Sequence, residues 1–231
     1  MPTFEHQLQE LQGQAFILPR YFDYTATFLW AISGALMGAR RGYAILGVAT
    51  VAMVSATGGG LLRDGIFLSV IPALVRTPVY LSLIAAAVLV VVLFGTHLQR
   101  IKHFTQVVGV IDAIGLGAYA VVGMNLALAA HLPLLGVLVV GTVNAVGGGI
   151  LRDVLNREEP AMFKPGTIEE GSAVVGCVLF IALTKLTPAG QFVSAWVTIG
   201  TVFAIRLIAI RYHLKSRALP GFAEPVSSRP S

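Results

Sequence analysis

The sequence GGGLLRD at residues 58–64 occurs a second time, almost unchanged, as GGGILRD at residues 147–153. Eight of the eleven positions from Val54 to Asp64 are identical to those from Val143 to Asp153, which lie 89 residues later. Both copies lie inside long apolar segments. Glycine weakens a helix by about 1 kcal/mol per residue, and an ionisable group at membrane depth costs about 3 kcal/mol or more. Two such costly features at equivalent places indicate a duplicated functional element.

The composition is that of an integral membrane protein. Of the 231 residues, 56% are hydrophobic and only 12% are charged, whereas a soluble domain has about 25% charged residues. The net charge of +5 does not predict nucleic-acid binding, because the basic residues cluster in short connections and near the C-terminus. Cys177 is the only cysteine and is predicted to be a small buried hydrophobe, so no intramolecular disulfide is expected.

The hydrophobic pattern predicts an all-α protein with seven transmembrane helices, since a spanning helix needs about 20 apolar residues. Residues 1–20 are expected to be an N-terminal extramembrane segment without a cleavable signal peptide, and 213–231 a disordered cytoplasmic tail. Residues 21–212 form one membrane domain. Its predicted spans are roughly 22–39, 43–62, 79–96, 107–128, 132–152, 167–186 and 190–210.

The duplication extends beyond the glycine motif and predicts an inverted repeat. At the same offset, Asp23 matches Asp112 and Gly34 matches Gly123. Each repeat holds three spans, about 22–96 and 107–186, and the seventh span at 190–210 is left over. Because three is odd, the second copy enters the membrane from the opposite side, so that a pseudo-two-fold axis in the membrane plane relates the copies.

The distribution of Lys and Arg predicts the orientation. Basic residues follow spans 1, 3, 5 and 7, and the alternate connections offer few of them. The positive-inside rule therefore places the N-terminus outside and the C-terminus in the cytoplasm.

Spans 2 and 5 are predicted to be broken at the glycine triplets. The apolar run from Tyr43 to Leu74 would form a straight helix of about 48 Å, against a hydrocarbon core of about 30 Å. Two paired breaks in an inverted repeat are typical of a transporter or channel site, and freed carbonyls suit a dehydrated monovalent cation. The alternative is close helix packing, which we expect for Gly34 and Gly38.

The Arg-Asp pairs are candidate gates. Adjacent side chains on a helix diverge by about 100°, so Arg63 and Asp64 are not expected to pair directly. In our hypothesis Arg63 and Arg152 flank the pathway and aspartates, Asp64 and Asp153 among them, hold them in position. The alternative is that both arginines extend to the membrane interface, as we also expect for Arg206.

Asp23 and Asp112 open spans 1 and 4 at matching positions. Each is a cation relay, a partner for an arginine, or a helix-start residue favoured by the macrodipole. Five further polar residues line the pore or bind neighbouring helices: Ser33, Ser55, Thr57, Asn125 and Asn144.

A chain of this length with GGGxxRD in spans 2 and 5 resembles the prokaryotic branch of the trimeric intracellular cation (TRIC) channel family, also catalogued as UPF0126-like, glycine-rich-repeat bacterial membrane proteins. The resemblance covers about residues 20–212. It implies a homotrimer in the prokaryotic inner membrane, with a potassium-permeable pore in each protomer and membrane lipid as the other partner. The implied pore-lining residues are Gly58, Gly59, Gly60, Gly147, Gly148 and Gly149. The Lys-Glu-Val motif of animal members is absent, so phosphoinositide regulation is not implied.

Two functions remain open at this point. The first is a passive channel for potassium, with no cofactor beyond the permeant ion. The second is a secondary carrier for a small amino acid such as glycine, whose carboxylate would bind at a half-helix N-terminus after each break. An enzyme is not expected, because the sequence has no His/Asp/Ser constellation, no metal motif and no phosphate-binding loop with lysine.

Overall fold

The computed structural model describes residues 20–99, 104–163, 171–187 and 190–212, which form eight α-helices and no strand. A π-helical segment, Arg63–Phe67, continues the second helix, and a 3-10 turn, Ala161–Phe163, follows the sixth. The helices are α1 (Arg20–Arg40), α2 (Ile45–Leu62), α3 (Ala73–Arg76), α4 (Pro78–Gln99), α5 (Phe104–Ala129), α6 (Leu134–Leu155), α7 (Gly171–Leu186) and α8 (Gln191–Tyr212).

Each predicted span overlaps one helix of 16 or more residues. Five segments are long and apolar enough to cross a membrane: Ile45–Phe67, Pro78–Gly95, Gly109–Ala129, Leu134–Leu155 and Gln191–Tyr212. Helix α7 has only 16 described residues, and α1 is not among the five. The predicted N-terminal extramembrane segment (apart from residue 20) and the predicted cytoplasmic tail lie outside the described residues.

The helices bury two large apolar cores, and a smaller apolar cluster contains Leu68 and Val70. One core lies among α1, α2 and α4, and contains Trp30 and Ile84. The other lies among α5, α6, α7 and α8, and contains the fully buried side chains of Met124, Phe180 and Val202. Helices α2 and α6, which carry the two glycine motifs, pack directly against each other and join the two cores.

Both glycine triplets lie within continuous helix, so the predicted break at these glycines is wrong. Helix α2 includes all of its triplet and ends at Leu62, and α6 runs through the second triplet to Leu155. The prediction treated missing side chains as a weakness of each helix taken alone. In the bundle, the missing Cβ atoms allow close packing, which offsets the low helix propensity of glycine.

The irregular backbone begins after the first triplet, at the Arg-Asp pair. The Leu68 amide donates to the Arg63 carbonyl at 3.0 Å, which widens the helix into a π turn, and the Val70 amide donates to the Asp64 carbonyl at 2.9 Å. Ser69 has a positive φ of 52°. The long apolar run from Tyr43 to Leu74 therefore ends its helix at Phe67, and no bend at the glycines is needed to fit it into the membrane.

Candidate functional site at the crossing of the two motifs

The first two glycines of each triplet form the contact between α2 and α6. A Cβ atom placed on Gly58 would lie 3.3 Å from the Gly148 Cα, and one placed on Gly147 would lie 3.1 Å from the Gly59 Cα. All four glycines are buried. The backbones therefore meet without intervening side chains, as small residues allow in membrane helices.

The second glycine of each triplet is the tightest point. A Cβ on Gly59 would overlap the Asn144 carbonyl oxygen, and a Cβ on Gly148 would overlap the Ser55 carbonyl oxygen. The third glycine is different: a Cβ on Gly60 would first meet the end of the Arg63 side chain, at 3.7 Å. Only the first two positions of the triplet thus require glycine for packing.

The contacts of the two halves are reciprocal. A Cβ on Gly34 would meet the Ser55 Cβ at 2.6 Å, and a Cβ on Gly123 would meet the Asn144 Cβ at 2.7 Å. Each residue of the second contact lies 89 positions after its counterpart in the first. The packing expected for Gly34 is confirmed, and the matching Gly123 packs in the same way.

An aromatic pair that was not predicted from the sequence lies at the centre of the crossing. Trp30 and Tyr119 are also 89 residues apart, and their ring centroids are 4.9 Å from each other. The Tyr119 hydroxyl donates to the Ala56 carbonyl at 3.2 Å and lies 2.9 Å from the Thr27 hydroxyl. The matching positions of two aromatic residues in the repeats are the signal that could have found this pair.

The first arginine is held inside the bundle. Arg63 Nε donates to Asp64 Oδ1 at 2.7 Å, and Arg63 Nη1 donates to Asn144 Oδ1 at 3.1 Å. Only 7% of Arg63 and 3% of Asp64 are exposed. The prediction that neighbours would not pair is wrong, because the long arginine side chain folds back across the angle between them. Extension of Arg63 to the interface is wrong as well.

The second arginine makes a larger set of bonds. Arg152 Nε donates to Asp153 Oδ1 at 3.1 Å, and Nη1 donates to Asp112 Oδ2 at 2.8 Å and to Ser33 Oγ at 3.0 Å. Arg152 is 8% exposed, so it does not extend to the interface either. These bonds join α6 to α5 and α1. Of the three predicted roles for Asp112, the structure supports the role of partner for an arginine.

The two matching aspartates have different surroundings. Asp112 lies eight residues after the start of α5 at Phe104, so it is not a helix-start residue. Asp23 lies in the first turn of α1, accepts a hydrogen bond from the Tyr80 hydroxyl, and interacts electrostatically with Arg63. We call Asp23, Arg63 and Asp64 the first charge cluster, and Asp112, Arg152 and Asp153 the second charge cluster.

A small cavity adjoins the second charge cluster. It has a volume of about 30 Å³, enough for one or two water molecules. Its lining includes Asp112, Arg152, Asp153, Trp30 and Arg206. Arg206 is only 4% exposed, so the prediction that it extends to the interface is wrong. Asp112 Oδ1 is buried and has no hydrogen-bond partner within the described part of the chain.

The remaining polar candidates make no hydrogen bond to one another within the described part of the chain. The Thr57 hydroxyl donates to the Met53 carbonyl of its own helix at 2.8 Å. Ser55 Oγ and Asn125 Oδ1 have no hydrogen-bond partner within residues 20–99, 104–163, 171–187 and 190–212. Asn144 and Ser33 instead bind the arginines, as residues that join helices do. The same residues contain no group of three or more His, Cys, Asp or Glu that could hold a metal ion.

The two ends of the crossing are held by different chemistry. Where α2 begins and α6 ends, Arg41 pairs with Glu158 at 2.7 Å, and the Tyr43 hydroxyl donates to the Leu155 carbonyl at 2.9 Å. At the other end the contacts are apolar. The residues there are Leu68, Val70, Leu126, Ala130 and Leu132.

Comparison with known sequences matches this chain to relatives along most of its length. The family model described as "Glycine transporter" matches twice, at residues 20–96 and 109–185. The UPF0126 inner membrane protein YadS of Escherichia coli K12 is 31% identical over 208 residues, which cover 90% of this chain and 97% of that protein.

Solved structures share the fold. A chain from work on conductance through TRIC cation channels is 26% identical with a TM-score of 0.79, and the match covers 90% of this chain and 100% of that one. The TRIC trimeric intracellular cation channel orthologue from Rhodobacter sphaeroides has a TM-score of 0.77 at 24% identity, over 84% of this chain and 97% of that one. By the two family matches and the curated relative, this chain belongs to the glycine transporter family of membrane proteins, together with the UPF0126 proteins.

Proposed function

We propose that the protein is a potassium-permeable cation channel of the inner membrane, assembled as a homotrimer with one pathway in each protomer between α2 and α6. The observation that carries the proposal is the match to a TRIC cation channel over the whole length of that chain. The trimer is proposed because a channel named as trimeric shares the fold. The inner membrane is proposed because the relative YadS is named an inner membrane protein.

The charges beside the crossing favour cations over anions. Each charge cluster contains two carboxylates and one guanidinium, so each carries a formal charge of −1. Such a charge in a partly dry environment raises the local concentration of cations and lowers that of anions. The buried arginines are neutralised by their own partners, and therefore do not exclude a potassium ion from the pathway.

The contact between α2 and α6 supplies a gate. The helices touch at Gly58, Gly59, Gly147 and Gly148 with no space between their backbones. Opening a path there requires the helices to separate, and the bond from Arg63 to Asn144 spans the same two elements. We therefore assign the described conformation to a closed state, with the glycines and the Arg63–Asn144 bond on the opening coordinate.

The membrane arrangement completes the proposal. Helices α1 and α7 join the five apolar segments as spans, which makes seven. The polar residues of α1, Thr27 and Ser33, are buried inside the bundle, where intramembrane polar groups are tolerated. The repeats insert in opposite directions, with the N-terminus outside and the C-terminus in the cytoplasm, as the positions of Lys and Arg favour.

The test is electrical recording of the purified protein in a planar bilayer under a potassium chloride gradient. We expect unitary currents that reverse near the potassium potential, and no such currents from a mock purification of cells that lack the protein. Currents that reverse near the chloride potential would contradict the charge argument. A bilayer that stays silent at verified incorporation would contradict the channel.

A carrier for a small amino acid is the second candidate, and the description of the matching family favours it. The substrate site predicted at a helix break is not available, because the helices continue through the glycines. The cavity beside Arg152, Asp112 and Asp153 offers both charges that a zwitterion needs, and it would have to widen from about 30 Å³ to admit an amino acid. Saturable glycine uptake into liposomes, with the same preparation silent in bilayers, would establish the carrier.

A further inference from the structure

Arg206 comes from outside both repeats and reaches only one of the two charge clusters. It belongs to α8, whereas the family matches end at residue 185. Helices α5 and α8 pack with their sequences running in opposite directions, because a Cβ on Gly109 would meet Ile210 at 3.3 Å and one on Gly117 would meet Val202 at 3.3 Å. This register places Arg206, midway between Val202 and Ile210, at the level of Asp112.

The lining of the cavity confirms that Arg206 and Asp112 lie at the same level of the bundle. Arg206 and Asp112 line the same space of about 30 Å³, together with Arg152 and Asp153. With Arg206, the formal charges at the second charge cluster sum to zero instead of −1. The first charge cluster, within the described residues, has only the neutral Tyr80 and Asn144 as further side-chain hydrogen-bond partners, so its sum stays −1.

We propose that Arg206 makes the pathway electrostatically asymmetric and that the channel therefore rectifies, carrying unequal currents at equal voltages of opposite sign. This inference rests on the proposed channel function. A potassium ion approaching the first charge cluster meets one net negative charge, and an ion approaching the second meets none. One unit charge at 4–8 Å in water changes the local cation concentration by about twofold to fivefold, and less at high salt. The expected rectification has that size.

The experiment compares single-channel currents at equal positive and negative voltages in about 0.1 M potassium chloride, where the Debye length is about 10 Å. We take the ratio of the larger to the smaller current, because this ratio does not depend on the direction of insertion. We expect a ratio of about two to five for the wild type and a ratio near one for R206Q. The R206K variant keeps the charge and should keep the wild-type ratio.

Two further variants separate charge from packing. D23N removes the excess negative charge of the first charge cluster, so it should also bring the current ratio near one. The two variants differ in conductance: D23N should conduct less than the wild type, and R206Q should conduct more. The double variant D112N/R206Q returns the second charge cluster to a sum of zero, and its ratio should return to that of the wild type. The side-chain amide that D112N introduces can still accept the bond from Arg152.

The outcomes distinguish this inference from the channel itself. Wild-type currents whose ratio is already near one, or a ratio that stays the same in R206Q, overturn the role of Arg206 and leave the channel standing. A ratio that changes equally in R206K and R206Q shows packing rather than charge, and also overturns it. A wild-type protein that conducts no cations overturns the proposed function and this inference with it.

Discussion

The substitution Gly59→Ala tests whether the glycine triplets serve the contact between α2 and α6. The new Cβ would overlap the Asn144 carbonyl oxygen, a main-chain atom that cannot move by rotating a side chain. The helices would have to separate by about 1 Å to restore ordinary contact. Gly60→Ala is the matched control, because its Cβ would meet only the Arg63 guanidinium at 3.7 Å.

The two substitutions should change the free energy of unfolding differently: Gly59→Ala lowers it, and Gly60→Ala leaves it unchanged or raises it. Overpacking of this kind costs about 1–3 kcal/mol, which lowers the melting temperature by about 2–12 °C. Gly60→Ala brings no clash and replaces a poor helix former, so it should be neutral or stabilise by up to about 1 kcal/mol. If opening separates the helices here, a cost of about 1–3 kcal/mol to the closed state raises the ratio of open to closed channels by about 5-fold to 150-fold.

Thermal unfolding in detergent measures the first effect, and open probability in a planar bilayer measures the second. Tryptophan fluorescence is a suitable signal, because Trp30 lies against Gly148 at the crossing. Gly148→Ala should behave like Gly59→Ala, since its Cβ would overlap the Ser55 carbonyl oxygen. The reasoning is refuted if Gly59→Ala melts at the wild-type temperature, or if Gly60→Ala is as damaging as Gly59→Ala.

Three other predictions concern single contacts. Asn144→Ala leaves the buried Arg63 without its neutral acceptor and should lower the free energy of unfolding by about 1–3 kcal/mol, read from thermal unfolding; unchanged stability would contradict the bond at 3.1 Å. Arg41→Ala removes only an exposed ion pair with Glu158 and should cost less than about 1 kcal/mol, a cost that vanishes in high salt; a larger, salt-insensitive loss would count against it. Cys177 is fully buried and should react with a thiol reagent only after unfolding, whereas rapid labelling of the folded protein would contradict that burial.

The repeat could be predicted from the sequence because inverted duplication leaves matched residues at a constant spacing. The spacing that pairs Asp23 with Asp112 also pairs Trp30 with Tyr119, and the structure places the aromatic pair in contact. The family model matches at the same spacing. Burial of Cys177 was predicted correctly as well, because a lone cysteine in an apolar run behaves as a small hydrophobic side chain.

The predicted helix breaks at the glycine triplets were wrong because helix propensity is a property of one helix, whereas packing is a property of two helices in contact. A missing Cβ weakens an isolated helix, but against Gly148 it allows Gly58 to form a close backbone contact. The sequence does not specify which helix packs against the glycine-containing face of α2. The presence of two triplets was nevertheless a signal, since two smooth helix surfaces are complementary to each other.

The charged residues were misplaced for a related reason. The angle of about 100° between neighbours on a helix describes the directions of their Cα–Cβ bonds. The guanidinium of Arg63 lies at the end of a long flexible side chain, so it reaches Asp64 despite that angle. Arg206 was assigned to the interface from its distance to the helix end. Its spacing of four from Val202 and from Ile210 places it on the buried face of α8, which is a signal that the sequence contains.

The unlike ends of the α2–α6 crossing respond in opposite ways to the solution. Added salt screens the exposed pair of Arg41 and Glu158 and loosens that end. Strongly hydrated salts such as sulfate strengthen apolar contacts, so they tighten the end that contains Leu68 and Val70. Cooling weakens the apolar end, because hydrophobic association fades at low temperature. Ionic strength and temperature therefore select which end of the crossing loosens first.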